Sequence, residues 1–131
     1  MRTIRCVPLV ALALAATADA ATLEWVGEPQ LYAPGAVSGA SADVRLAVSP
    51  DGRRELWGAI GAIAGKPDFD LFERVRDGDS WSRPAPVPFN SAANDFDPAF
   101  ALDGSGVYFF SNRAGGFGGD DIWFVALEQG A

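Results

Sequence analysis

The feature that most narrows what this chain can fold into is a spaced repetition of turn sequences. Val44–Val48 alternates apolar and polar side chains imperfectly and runs into Ser49-Pro50-Asp51-Gly52. Phe96–Leu102 behaves the same way and runs into Asp103-Gly104, with Asp103 52 residues after Asp51. After each Asp-Gly pair comes a strand-like run, Glu55-Leu56-Trp57 in one copy and Val107-Tyr108-Phe109-Phe110 in the other. A glycine-bearing loop and a further strand-like run follow, Asp70–Val75 or Asp121–Val125. The first copy then adds Asp77-Gly78-Asp79-Ser80, which reads as a tight hairpin turn leading into Trp81-Ser82-Arg83-Pro84. A similar segment, Trp25-Val26-Gly27-Glu28-Pro29, precedes the first copy. Each unit therefore spells Trp-x-x-(x)-Pro, spacer, strand, Asp-Gly turn, strand, glycine loop, strand.

Repeats of roughly 40–50 residues with about four short strands each are the pattern of propeller blades. Short hairpin connections make neighbouring strands antiparallel. The expected fold is all-β, with about two four-stranded antiparallel blades of a β-propeller spanning about residues 23–80 and 81–127. Two blades do not close a ring, and each open side exposes packing surface and strand edges. The expectations are a truncated relative of a longer propeller, self-association that completes a ring, or a small domain standing alone.

Residues 1–20 read as a secretory signal peptide ahead of a mature segment, 21–131. Arg2 and Arg5 supply the positive start, Val7–Ala16 a short apolar run, and Ala18-Asp19-Ala20 a small-x-small cleavage site. The run is shorter than the roughly 20 residues a membrane span needs, so periplasmic or secreted location is expected and no membrane span. Cys6 is the one cysteine and lies before the apolar run, where a lipoprotein cysteine would follow it. The mature segment then holds neither Cys nor His. It has no thiol nucleophile, no Ser-His-Asp triad and no His or Cys zinc site. A net charge of -7 argues against nucleic acid, which recruits basic patches to displace phosphate counterions.

The second copy carries the most specific motifs. Asp97-Pro98-Ala99-Phe100-Ala101-Leu102-Asp103-Gly104, Val107-Tyr108-Phe109-Phe110-Ser111-Asn112-Arg113 and Gly115-Gly116-Phe117-Gly118-Gly119-Asp120-Asp121-Ile122-Trp123 resemble the WD40-like propeller repeat (PD40) of TolB-like periplasmic proteins. The first copy keeps Val48-Ser49-Pro50-Asp51-Gly52. It then has Ala59-Ile60-Gly61 where the repeat carries Ser-Asn-Arg, and Lys66-Pro67 where it carries the glycine loop. The resemblance implies structural roles for Pro50, Asp51, Gly52, Pro98, Asp103, Gly104, Gly115, Gly116, Gly118, Gly119 and Asp121. Trp57, Phe109, Phe110 and Trp123 are expected to pack between blades, and Arg113 to pair between blades with Asp95 or Asp97. Propeller ligands usually sit where loops converge at the channel mouth. Asn112 and Arg113 are therefore the expected binding residues, beside the loops at 112–119 and 61–67.

Several motifs invite chemistry. Gly115–Trp123 fits one copy of a calcium nonapeptide, a motif that works in tandem. Asp68-Phe69-Asp70 and Asp95-Phe96-Asp97 place two carboxylates on one strand face, a geometry open to hard cations. Asp77-Gly78-Asp79 starts like a calcium loop, but Ser82 and Pro88 stand at its sixth and twelfth positions. Solvated acids at strand ends are the expected reading, with no metal and no cofactor. Paired carboxylates also serve propeller glycosidases and sialidases, but the arginine cluster and Asp-box of a sialidase are missing. The expected function is an exported, non-enzymatic TolB-like binding or scaffold module, with a protein partner or further copies of itself. Part of a propeller-type hydrolase is the alternative.

Overall fold

The computed structural model describes residues 23–128, so the expected leader and Cys6 lie outside the described residues. Eight strands and no helix make up the described chain. β1 (Asp43–Val48), β2 (Arg54–Ile60), β3 (Phe69–Asp77), β4 (Ser80–Trp81) and β5 (Ala85–Pro86) form one antiparallel sheet in the order β1-β2-β3-β4, with β5 also on β3. β6 (Asp95–Phe100), β7 (Gly106–Ser111) and β8 (Asp121–Ala126) form a second sheet in that order. The architecture is all-β, as expected. The second sheet has three strands among the described residues rather than four. The fourth strand of the first is broken between Trp81 and Ala85, where Pro84 has no donor for the ladder.

The turn chemistry explains the strands. Gly78 holds φ 57° at the first central position of the two-residue hairpin joining Asp77 to Ser80. Gly52 (φ 68°) and Gly104 (φ 74°) take the left-handed position that closes each Asp-Gly turn. The Asp51 carboxylate accepts from the Ser49 hydroxyl (2.5 Å) and the Arg53 amide (3.0 Å). The Asp103 carboxylate accepts from the Ser105 amide at 3.0 Å. Those hydrogen bonds hold both carboxyls below the ordinary range.

The two sheets repeat one register. Asp43 pairs Ala59, Val44 pairs Gly58, Ala47 pairs Leu56 and Val48 pairs Glu55. In the second sheet Asp95 pairs Ser111, Phe96 pairs Phe110, Ala99 pairs Tyr108 and Phe100 pairs Val107, each partner 52 positions on. Both ladders slip at the same place, between Val44 and Ala47 and between Phe96 and Ala99. The bulge leaves Arg45 (φ 35°) and Asp97 (φ 50°), again 52 apart, in left-handed backbone. Pro98 sits fully buried beside the second bulge, where the broken ladder needs no donor.

The core lies between the sheets. Leu56 and Leu71 meet Val107 and Phe109, with Val87 of the connecting segment and with Trp123, Val125, Phe89 and Phe100 around them. Burying each such side chain contributes about 1.5–3 kcal/mol. Alternation along the strands turns Trp57, Ala59 and Phe72 to the opposite face of the first sheet, where they pack on Ala33 and Val37. In the second sheet it turns Tyr108, Ile122 and Phe124 outward into solvent. Trp57 and Phe109 hold equivalent positions 52 apart, so the sheets stack face to back. Phe109 and Trp123 pack between the sheets, whereas Trp57 lies on the far face and Phe110 stacks on Phe96.

Candidate binding cleft

The expected binding residues are turned toward the chain itself. The Arg113 guanidinium donates to Asp95 (2.6 Å), to the Ser111 hydroxyl (3.1 Å) and to the Phe89 carbonyl (3.0 Å). It lies 4.8 Å from the Phe109 ring centre and 5.5 Å from that of Trp123. Asp95 has no exposed surface and also accepts from the Ser91 amide and hydroxyl. Burial pushes its carboxyl up. The bonds from Arg113, Ser111 and Ser91 outweigh that and hold it below the usual range. The pair expected between blades thus lies within the second sheet, with Asp95 as the partner. Asn112 accepts from the Asn94 amide at 2.9 Å and fastens the end of β7 to the segment before β6.

The loop glycines serve the same end. The Asp121 carboxylate accepts from the Phe117 amide at 2.8 Å and folds the Gly115–Gly119 loop over itself. A Cβ on Gly116 would stand 2.0 Å from that carboxylate. In the first sheet Asp70 is buried and takes a 2.6 Å bond from Lys66, which also reaches the Ser91 carbonyl. That hydrogen bond raises the Lys66 pKa. Lys66 lies 3.8 Å from Asp68 as well as 2.6 Å from Asp70, so the first Asp-x-Asp run shares one cation, while in the second Asp95 binds Arg113 and Asp97 takes part in no ion pair among the described residues. Among the described residues no three acidic side chains converge on a metal-sized site.

The face of the first sheet remote from the second holds a further buried pair. Glu55 accepts from Arg74 (2.6 Å) and from the Tyr32 hydroxyl (2.6 Å), and Trp81 covers the guanidinium at 4.6 Å. The bond to Glu55, with burial, raises the Tyr32 pKa. At the equivalent place the second sheet pairs Val107 with Val125. An acid facing an arginine cross-strand is an ion-pair signal. The alternation that buries them was hidden by the irregular spacing of the sequence.

What remains open is a concavity of about 390 Å³ lined by Arg45, Asp97, Ala99, Tyr108, Phe110 and Ile122. It brings together the two bulge residues. Arg45 is exposed and Asp97 half-buried. Neither side chain takes part in an ion pair among the described residues. A cation, an acid, a phenol and apolar walls thus share one cleft beside the strands β1 and β6. Left-handed backbone on non-glycine residues is strained, and Arg45 and Asp97 carry that strain here. Asp97 was visible in the sequence as half of an acidic pair. Arg45 was not, because the bulge that aims it belongs to the pairing and not to local spacing. A second groove, about 710 Å³, runs between the two Asp-Gly turns past Arg53, Arg54 and Glu128. Asp51 and Asp103 on its walls are bound into their own turns.

No family model, no curated protein and no solved structure matches this chain. No helix among the described residues is long and apolar enough to cross a membrane.

Proposed function

We propose that the chain is an exported, non-enzymatic binding or scaffold module of the TolB-like propeller kind, and that it contacts its ligand at Arg45 and Asp97. One observation carries the binding reading. Two residues of opposite charge are kept in strained backbone at equivalent bulges, beside an apolar cleft. The shared register and face-to-back stacking of the sheets support the propeller part of the reading. The non-enzymatic part draws support from the carboxylates. Asp70 and Asp95 are paired with Lys66 and Arg113, and Asp97 is the one acid lining the cleft, where glycoside hydrolysis calls for two.

The test is a stability comparison. If Arg45 and Asp97 are retained for ligand contact, Arg45→Gly and Asp97→Gly relieve the left-handed strain and each raises stability by about 1 kcal/mol. A fall in melting temperature for both would mean the side chains hold the fold, and the binding reading would be lost. A parallel assay with fluorogenic glycosides and sialosides is expected to give no turnover. Turnover abolished by Asp97→Asn would replace the proposal with the hydrolase alternative.

A further inference from the structure

In the first sheet the outer edge of β3 is covered. Trp81 pairs Arg76 and Ser80 pairs Asp77, while Ala85 pairs Glu73 and Pro86 pairs Phe72. In the second sheet β8 is the counterpart of β3. Trp123 faces Phe109 as Phe72 faces Trp57, and Val125 faces Val107 as Arg74 faces Glu55. Among the described residues β8 pairs only with β7. A free strand edge presents a row of unpaired backbone donors and acceptors and is a template for another strand.

The chain contains a segment shaped for that edge. Trp25-Val26-Gly27-Glu28-Pro29 repeats the pattern of Trp81-Ser82-Arg83-Pro84 with one residue more. It belongs to no strand, and Leu23, Trp25 and Val26 are almost wholly exposed. Tyr32 anchors this stretch to Glu55, and Val37 packs on Trp57, both on the face of the first sheet turned away from the second. Tyr32 and Val37, which follow the segment, thus lie across the first sheet from the β8 of the same chain.

We propose that Trp25–Leu31 of one copy adds to the free edge of β8 in a second copy as its fourth strand. The inference rests on reading the two sheets as repeats of one unit. With Pro29 set where Pro84 stands, Gln30 and Leu31 take the places of Ala85 and Pro86, opposite Phe124 and Trp123. Trp25 then lies toward Val125, as Trp81 lies over Arg74. Proline is tolerated in such an edge strand. The exposed Tyr108, Ile122 and Phe124 beside the edge are then approached by the second copy as well. The contact is head-to-tail, so successive copies close a ring or extend a filament.

The experiment is sedimentation of the full chain over a range of concentrations. Three samples are compared: the chain alone, the chain with an excess of synthetic peptide of residues 23–31, and a Trp25→Ala, Val26→Asp variant. These two side chains touch neither core cluster, so the variant should keep the parent melting temperature, which is measured beside it. The expected result is a concentration-dependent mass at least about twice the 13.7 kDa of one chain, brought back to a single chain by the peptide and by the variant. A single chain at every concentration overturns the proposal. So does an oligomer indifferent to both perturbations, which would assign association to the leader or to the outer face of β7 and β8. A single chain at every concentration leaves the cleft at Arg45 and Asp97 untouched, and its glycine variants test it separately; association through the outer face of β7 and β8 would cover the Tyr108 and Ile122 walls of that cleft.

Discussion

Removing Arg113 should cost stability in a way that depends on pH. Asp95 is fully buried, and among the described residues Arg113 is the one cation in ion-pair contact with it, its own side chain 22% exposed. Taking away one member of a buried pair costs about 3–5 kcal/mol, because the remaining charge is left uncompensated. The Ser91 amide and hydroxyl still reach Asp95, which pulls the cost toward the lower end. The lost bond to the Phe89 carbonyl and the lost cover over Phe109 and Trp123 push it back. The net expectation for Arg113→Ala is about 3 kcal/mol, read as a shift of the urea midpoint at unchanged slope. In the parent the folded Asp95 pKa lies below its unfolded value. Its contribution is therefore full above the unfolded pKa and fades as pH falls through the folded one. Without Arg113 the largest of the bonds that hold the carboxyl down is gone, so the folded pKa rises and Asp95 contributes less stability near neutrality. The gap between parent and variant should thus be widest near neutrality and narrow in acid. Asp95→Asn with Arg113→Met should recover part of the loss. A cost below about 1 kcal/mol that does not change with pH would refute this account and return Arg113 to the binding residues.

Three further outcomes follow from single contacts. Arg74→Val alone should lose about 3–5 kcal/mol, whereas Glu55→Val with Arg74→Val should come out near neutral, since Val107 and Val125 already fill that place in the second sheet; equilibrium denaturation of the single and double variants decides it. A Cβ on Gly106 would stand 2.3 Å from the Phe124 ring and 2.4 Å from the Val125 carbonyl oxygen, so Gly106→Ala should cost about 1–3 kcal/mol by overpacking, visible in the same assay. Asn112→Ala removes the acceptor for the Asn94 amide; about 1 kcal/mol of stability should go, and hydrogen exchange at Asn94 should quicken selectively.

Much of the second sheet was legible in the sequence because its information is local. Asp103-Gly104 closes its own turn through the Asp103 carboxylate and the Ser105 amide, and residues two positions apart suffice to specify that. The same holds for Asp51-Gly52 and for Asp77–Ser80. Val107–Phe110 was legible as a strand, but not which of its side chains look inward: Phe109 and Phe110 were both expected between the sheets, and Phe109 packs there while Phe110 stacks on Phe96. The spaced turns and strands were also legible, and with them the all-β class. The expected site was not. Asn112 and Arg113 have the chemistry of ligand contacts, but that chemistry is spent on Asn94, Asp95 and Phe89, and only folding brings Phe89 within 3.0 Å of the guanidinium.

The sequence by itself determined the turns, the strand periodicity and the absence of Cys and His from residues 21–131, since these depend on residue identity and near neighbours. The tertiary structure decided the rest. It set the bulges that turn Arg45 and Asp97 into one cleft, the neutralising partners of Asp70 and Asp95, and the assignment of Trp81–Pro86 to the edge of β3. Each depends on strand pairing or sheet packing between segments far apart in the chain. The free energy of such a contact comes from burial that no local pattern encodes.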